Sequence, residues 1–416
     1  MTTYDDPYMT KKSRNPQKAR SRGTRFSFRL PAGSDLAIHL SILWLAVFGL
    51  LMIASASMGQ AVSNAIYLPF TVIKQMVFLT GGYVLMHWLS YHFRLDFLRS
   101  RGFSQWAIYM GVALLACLVF PAVNGARAWI RIPISSMDIS VQPSEFTKIM
   151  VVLIIAAYCG DIHRSFPSTG AMVQRPFILI AGYLFIVLIL QSDLGSAAVI
   201  GLIALICFFI PQHPQLRRLQ HIFEFLLAAA VAGAIFLLSP YGEGVIRSLP
   251  LQDYQIKRIL SAVNPFTDQY DAGYQLVNGL VSFATGGWTG LGFGNSVRKY
   301  TRFPAANTDF ILAIIVEELG YVGFLMVFIP YLIIIFRLFH YASKMQSEQG
   351  RIILIGVSMY ILVHCLFNIG GVTGLIPLTG VPLLMISAGG SSTVSLMCAI
   401  GIAQAVIVQY RKGEIR

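Results

Sequence analysis

The sequence predicts an all-α polytopic membrane protein: ten transmembrane helices, with one large extracytoplasmic loop between the seventh and the eighth. Three observations carry that reading. Of 416 residues, 56% are hydrophobic and only 12% are Asp, Glu, Lys or Arg, about half the charged share of a soluble domain. The apolar residues fall into long windows, and a helix that crosses a bilayer needs about 20 of them in succession. Positive charges gather in alternate connections between those windows, as they do where short cytoplasmic loops hold Lys and Arg. Such a balance cannot wet a globular surface, and it excludes the disordered, disulfide-rich secreted and ordinary cytosolic classes.

Apolar windows place the spans near 37–56, 70–90, 105–122, 146–159, 177–190, 195–211, 222–239, 319–339, 352–370 and 392–410. The fifth and sixth are separated only by "QSDLG", where Ser192, Asp193 and Gly195 argue for a tight turn rather than one long helix. This divides the chain into a basic tail (1–34), a membrane domain (35–410) with its outer loop at about 240–318, and a short C-terminal tail (411–416). The formal charge of +13 is concentrated at the start, where eight Lys or Arg stand against Asp5 and Asp6 in the first 34 residues. A polybasic arm before a first span reads as a topology signal and a contact for anionic lipid rather than as a nucleic-acid site. The tail itself is expected to be disordered. The first apolar run is too long for a cleavable signal, and no small-residue cleavage site stops it.

With the tail inside, the inner loops hold Arg94, Arg99 and Arg101, then Arg164 and Arg175, Arg217 and Arg218, Lys344 and Arg351, and finally Arg411, Lys412 and Arg416. The outer loops at 57–69, 191–194 and 371–391 hold none. Both termini are therefore expected in the cytoplasm. Two outer loops carry cations: 123–145 has Arg127 and Arg131, and 240–318 has Arg247, Lys257, Arg258, Arg298, Lys299 and Arg302. Basic groups held outside point to an anionic ligand there.

The 240–318 segment is rich in Gly, aromatic and charged residues and is far too long for a connector, which makes it the expected seat of chemistry. The connection at 371–391 is uncharged, apolar and broken by Gly and Pro. That pattern suits a re-entrant path lining a cavity, where protein or water satisfies the backbone. Glu145 and Lys148 lie three apart on one helix face and can neutralise each other, either structurally or at a site. Glu317 and Glu318 follow an apolar run, where they line a polar cavity or cap a helix. Lys74, inside an apolar run, snorkels or meets a carboxylate. Asp268 and Asp271 read locally as turn formers or caps. "GLGFGNS" lacks the spacing and the preceding strand of a nucleotide loop. The five cysteines lie in apolar runs as small hydrophobes, and no His or Cys spacing supports a zinc site.

The strings "YQIKRILSAVNPFTD" with "GYQ", "GLGFGNS", "TDFILAIIVEELG", "QPSEFTK", "QSDLG" and "GGSS" occur in one order across about 40–410. Together they resemble the SEDS family of bacterial cell-wall polymerases, and "SASM", "GNSV" and the long basic tail are more similar to its division branch than to its elongation branch. The resemblance implies ten helices and an inverting glycosyltransferase that polymerises lipid II at the septum of the inner membrane. It also implies a class B penicillin-binding transpeptidase as partner, alongside other division proteins.

The family's essential aspartate falls on Asp268; Asp271 occupies a position that is commonly Gly and is not carried over. Lys257, Arg258, Arg127, Trp129, Glu145, Lys148, Glu317 and Glu318 are the candidate substrate-binding residues, and a divalent cation, Mg or Mn, is left open. The sequence departs from the family pattern at Ala128, Asn307 and Ala388. A lipid II flippase or other polyprenyl-lipid transporter, an elongation polymerase and a non-catalytic scaffold are the competing readings.

The topology is directly testable. Cysteines placed at Arg94–Arg101 or beyond Arg411 are expected to resist a membrane-impermeant maleimide in intact cells and to react after permeabilisation. Labelling from outside would refute the inward orientation.

Overall fold

The computed structural model describes residues 30–123, 125–134, 137–160, 168–248, 253–268, 270, 273–301 and 303–415. The basic tail up to residue 29, and Arg164, Asp271, Arg302 and Arg416, lie outside the described residues. Among the described residues, eight helices are long and apolar enough to cross a membrane. They are α1 (Leu36–Ala61), α2 (Tyr67–His92), α3 (Arg101–Ala116, continued by a 3-10 turn to Val119), α5 (Thr169–Phe185, continued by a π-helical turn to Leu190), α7 (Arg217–Leu237), α11 (Ile311–Lys344), α12 (Glu348–Thr373) and α13 (Gly390–Arg411). The other two expected spans are also helical, as α4 (Pro143–Cys159) and α6 (Leu194–Phe208), but have only 17 and 15 residues. At 1.5 Å per residue they fall short of a hydrocarbon core about 30 Å thick, because both begin at an internal cavity.

The helical class holds, with one addition. Ile130–Ile134 (β1) and Met137–Val141 (β2) form an antiparallel hairpin ahead of α4, pairing Ile130 with Val141 and Ile132 with Ile139. The segment at 240–318 is not a plain loop either. It contains α8 (Glu243–Ser248), α9 (Asp253–Val263), a 3-10 turn (Pro265–Asp268) and α10 (Tyr274–Gly286). In α9 the apolar Ile256, Ile259, Leu260 and Val263 recur at helical spacing, with Lys257 and Arg258 between them.

Nearly all of α13 is buried, whereas α7 buries no residue. Small and polar side chains line α13 and bond to its neighbours: Thr393 Oγ1 accepts from Gln75 Nε2 of α2 (3.2 Å) and Ser395 Oγ donates to the Glu145 carbonyl of α4 (2.8 Å). Small residues let helices approach closely where no hydrophobic drive exists between them. At the start of α1, Asp35 accepts from the Ile38 N–H (3.1 Å), Arg337 Nε (2.9 Å) and Tyr341 (2.8 Å). Its backbone pairs twice with Gln404 of α13, at 2.8 Å each. Burial alone would raise this carboxyl; Arg337, the Ile38 N–H and Tyr341 outweigh it and hold it below the usual range.

Backbone groups left unpaired inside a membrane are costly, so each helix break must be answered. Pro330 has no N–H to give the Met326 carbonyl, and the indole of Trp44 on α1 donates there instead at 2.9 Å. The larger break is at Gly320, whose φ of +64° and ψ of −157° divide α11 in two. The expected eighth span, from 319, coincides with the second half; the first half starts eight residues earlier. The glycine-rich strand after α10 docks on the break. Leu291 and Gly292 N–H groups donate to the Glu317 and Glu318 carbonyls, and Tyr321 and Val322 N–H groups donate to Gly287 and Trp288, all within 2.9–3.2 Å. A β-carbon on Gly290 would lie 2.2 Å from the Glu318 oxygen, and one on Gly320 would lie 2.4 Å from the Trp288 carbonyl carbon. Only glycine permits that approach.

The same loop carries a buried ion pair. Lys299 Nζ lies 2.9 Å from Glu318 Oε1 with both side chains fully enclosed. The ammonium also donates to the Gly294 carbonyl (2.6 Å) and to Ser55 Oγ of α1 (3.2 Å), and Glu318 accepts from the Ser55 hydroxyl (2.7 Å) and the Gly294 N–H (3.0 Å). Next to it, Glu317 accepts from Ser296 Oγ at 2.6 Å. Removing one partner of a buried pair costs about 3–5 kcal/mol because the other charge is left uncompensated. Lys299→Met is therefore expected to lower the unfolding temperature in detergent sharply, and Lys299→Met with Glu318→Gln to recover part of the loss. Simple additivity of the two single losses would show that the charges do not support each other.

Candidate active site

Four helices begin at one cavity of about 570 Å³. Its wall includes Gln142, the residue before α4; Asp193 to Ser196 at the start of α6; Thr308 and Asp309 just before α11; and Gly389 to Ser392 at the start of α13. The uncharged connection after α12 supplies Pro377 to Pro382, the cavity-lining path expected of it. The first N–H groups of a helix have no partner within it, and its N-terminus carries about half a positive charge. Four such ends make the cavity electropositive before any side chain is counted. Lys74, Lys148 and Arg258 add three cations to the wall.

Side chains fix the mouth of the cavity. Asp193 caps α6, its Oδ1 accepting from the Ser196 N–H (3.0 Å), while its Oδ2 accepts from Gln142 Nε2 (3.1 Å). The Gln142 N–H donates to Ser391 Oγ at 2.9 Å, which ties the α4 start to the α13 start. Trp129, carried by the stretch leading into β1, also lies on the wall.

Glu145 and Lys148 form the cavity floor although each is at most 2% exposed. Lys148 Nζ donates to Glu145 Oε1 at 2.7 Å and lies 2.9 Å from His364 Nε2. His364 Nδ1 is 3.1 Å from the Pro382 carbonyl, which can only accept, so the proton is on Nδ1 and Nε2 accepts from the ammonium. The imidazole is then neutral, and Glu145 with Lys148 balances to zero. The floor therefore presents a fixed dipole, not a net charge.

The structure brings Arg258, Trp129, Glu145 and Lys148 together on this cavity. Lys257, the neighbour of Arg258 on α9, is exposed and not part of the wall. Arg127 is exposed, and its backbone N–H donates to the Gln191 carbonyl at 2.9 Å. Glu317 and Glu318 are placed away from the cavity: their carboxylates are taken up by Ser296, Ser55, Lys299 and the glycine-rich strand, which corrects their expected place at a ligand. Asp268 ends the 3-10 turn that follows α9. Among the described residues no three His, Cys, Asp or Glu side chains stand close enough to hold a metal ion.

The sequence marked Asp193 only as part of a tight turn and gave Asp309 no role, although both stand in strings singled out there, "QSDLG" and "TDFIL". The usable signal is shared: each acidic residue lies one or two places before a long apolar run.

Residues 36–412 match a family model described as a cell cycle protein and named for FtsW, RodA and SpoVE. The chain is 32% identical to the probable peptidoglycan glycosyltransferase FtsW of Bacillus subtilis over 91% of its own length and 92% of the relative's. It is 30% identical to stage V sporulation protein E of the same organism, over 88% and 95%. Among solved structures it superposes on the rod-shape-determining protein RodA of Thermus thermophilus with a TM-score of 0.61 at 21% identity, covering 90% of this chain and 97% of that one. It also superposes on a chain from a study of a peptidoglycan synthase complex, with a TM-score of 0.64 at 23% identity over 90% and 98%. Both structural matches speak for the fold. The family match over residues 36–412 and the identities along nearly the full length meet in one conclusion: this chain belongs to the SEDS family of FtsW, RodA and SpoVE.

Proposed function

We propose that this SEDS-family peptidoglycan glycosyltransferase polymerises lipid II, the undecaprenyl-pyrophosphate-linked disaccharide pentapeptide, into glycan strands at the division septum. One observation carries the reading: four helix N-termini converge, with Lys74 and Arg258, on a cavity large enough for a sugar and its pyrophosphate, while Lys148 is balanced there by Glu145. A glycosidase needs a second acid to protonate its leaving oxygen. A lipid pyrophosphate leaves as a stable anion and needs charge stabilisation instead, which helix ends and cations supply.

In the proposed step, Asp268 takes the proton from the acceptor sugar's 4-hydroxyl as that oxygen bonds to the donor's anomeric carbon. The carbon–oxygen bond to pyrophosphate breaks on the opposite face, so the configuration inverts, and the electron pair leaves with the phosphate. Arg258 and the starts of α6 and α13 hold the leaving anion, and Trp129 offers an apolar face to the sugar. The short helices α4 and α6 complete ten crossings, with both termini and the Arg94–Arg101 connection in the cytoplasm. A class B penicillin-binding transpeptidase of one membrane span, among other division proteins, is the proposed partner that crosslinks the strands. One structural neighbour comes from a peptidoglycan synthase complex that coordinates polymerization and crosslinking, which supports such pairing.

Asp268→Asn is expected to lower strand formation from lipid II by about a hundredfold to ten-thousandfold, the usual worth of a general base, while expression and partner binding persist. Asp271→Asn is the control and keeps most activity. Strands made at the wild-type rate by Asp268→Asn would refute the base assignment. A wild-type protein that makes none, yet moves lipid II across vesicles, would put transport in place of polymerisation.

A further inference from the structure

We propose that Asp309 is a second substrate-contacting carboxylate of this cavity, accepting a hydrogen bond from a hydroxyl or amide N–H of the sugar bound there. The inference rests on the glycosyltransferase reading above and extends it to a residue outside the proposed proton transfer.

The backbone around Asp309 is fixed from several sides. Its own carbonyl accepts from Asn368 Nδ2 at 2.9 Å, and the same amide nitrogen is 3.0 Å from the Val381 carbonyl. The Thr308 carbonyl accepts from Ser387 Oγ at 2.7 Å, and the Asn307 carbonyl accepts from the Ala388 N–H at 2.8 Å. The segment is thereby tied both to α12 and to the connection that precedes α13. The side chain is treated differently. It lies on the cavity wall, and among the described residues no hydrogen-bond donor reaches its carboxylate. Polar groups held away from bulk water are normally paired, so a carboxylate placed this rigidly and left open to a cavity is arranged for a donor from outside the chain. Gly380, whose φ of +72° suits glycine, packs beside the carboxylate: a β-carbon there would meet Asp309 Oδ2 at 3.6 Å, ordinary van der Waals contact.

Charge decides which part of the substrate meets it. A carboxylate repels pyrophosphate, so the group at Asp309 must be a neutral donor, and on this substrate such donors are the hydroxyls and amides of the sugars. The charged and titratable groups on the same wall are Lys74 from α2, Glu145 and Lys148 from α4, Asp193 before α6 and Arg258 from α9. Glu145 with Lys148 is internally neutral, and Asp193 is capped onto α6; of the remaining cations, Lys74 and Arg258, it is Arg258 whose field acts on Asp309. Desolvation pushes the Asp309 carboxyl up to about 6 against the pull of Arg258. A raised carboxyl is ionised above that value and neutral below it, so the acceptor is lost as pH falls through about 6.

The test is strand formation by the full chain with its transpeptidase partner, with lipid II varied at each step from about pH 5 to about pH 8. Wild type is expected to show an acidic limb near pH 6. Asp309→Asn is expected to reduce kcat/KM about tenfold to a hundredfold at neutral pH, the worth of one charge-assisted hydrogen bond, and to lose that limb. Asp309→Glu is expected to keep the limb and recover part of the rate. An Asp309→Asn protein with the wild-type rate, or with a reduced rate and an unchanged limb, overturns the inference. Should Asp309→Asn elute as aggregate, Asp309→Glu carries the test: a shifted limb or changed KM supports the contact, and a wild-type profile refutes it. Failure of the polymerase reading looks different, because wild type itself would then form no strands at any pH.

Discussion

The architecture turns on the Lys299–Glu318 pair, because it closes the break at Gly320 that divides α11 in two. Glu318 ends the first half of α11, and its carboxylate accepts from the loop N–H of Gly294, from Ser55 of α1 and from the Lys299 ammonium. Three separate parts of the chain thus meet on one side chain. The first half of α11 runs from Ile311 to this lock, and its other end follows Thr308 and Asp309 on the cavity wall. The position of the cavity's open carboxylate therefore depends on an ion pair at the far end of a helix of about two turns. A charge pair in such a setting gives less net stability than it gives definition: it allows a single docking of the glycine-rich strand, since any other leaves a charge without its partner.

The site divides its electrostatic work between backbone and side chains. The helix ends contribute fixed dipoles that need no reorganisation when an anion arrives. The cations differ in setting. Lys148 is clamped between Glu145 and His364 and cannot turn toward a ligand without abandoning both. Arg258 stands exposed on α9 at the cavity wall.

Much of this was legible in the sequence, for identifiable reasons. Long apolar windows marked the eight helices long enough to cross a membrane and the shorter α4 and α6, since burial in lipid demands uninterrupted hydrophobicity, and "QSDLG" broke α5 from α6 where Ser192 takes a φ of +57°. Glu145 and Lys148 were readable as a pair because helical spacing alone puts residues three apart on one face. The break at Gly320 was not readable: Glu317 and Glu318 looked like the edge of a span, whereas they are the point where a helix bends and a loop 20–30 residues earlier returns to meet it. The β1–β2 hairpin escaped notice because five-residue strands beside long apolar windows leave no periodic signal of their own. Asp309 was missed for a similar reason, as its significance lies in what fails to contact it, and that is a property of three-dimensional packing.

The break in α11 also separates two regimes of mutational freedom along a single helix. From Ile311 to Glu318 every residue is buried, so no position there looks toward lipid and each side chain is held by volume on all sides. Beyond Gly320 burial becomes one-sided, recurring at Gly323, Val327, Pro330, Ile334, Leu338 and Tyr341, while Val322, Met326, Ile329, Ile333 and Phe336 face outward. The outward row needs only to remain apolar, and sequence can drift there among Leu, Ile, Val and Phe at little cost. The buried turns have no such latitude. Divergence among homologues at about 30% identity can thus accumulate on the lipid face of this helix while the half that reaches the cavity stays nearly still.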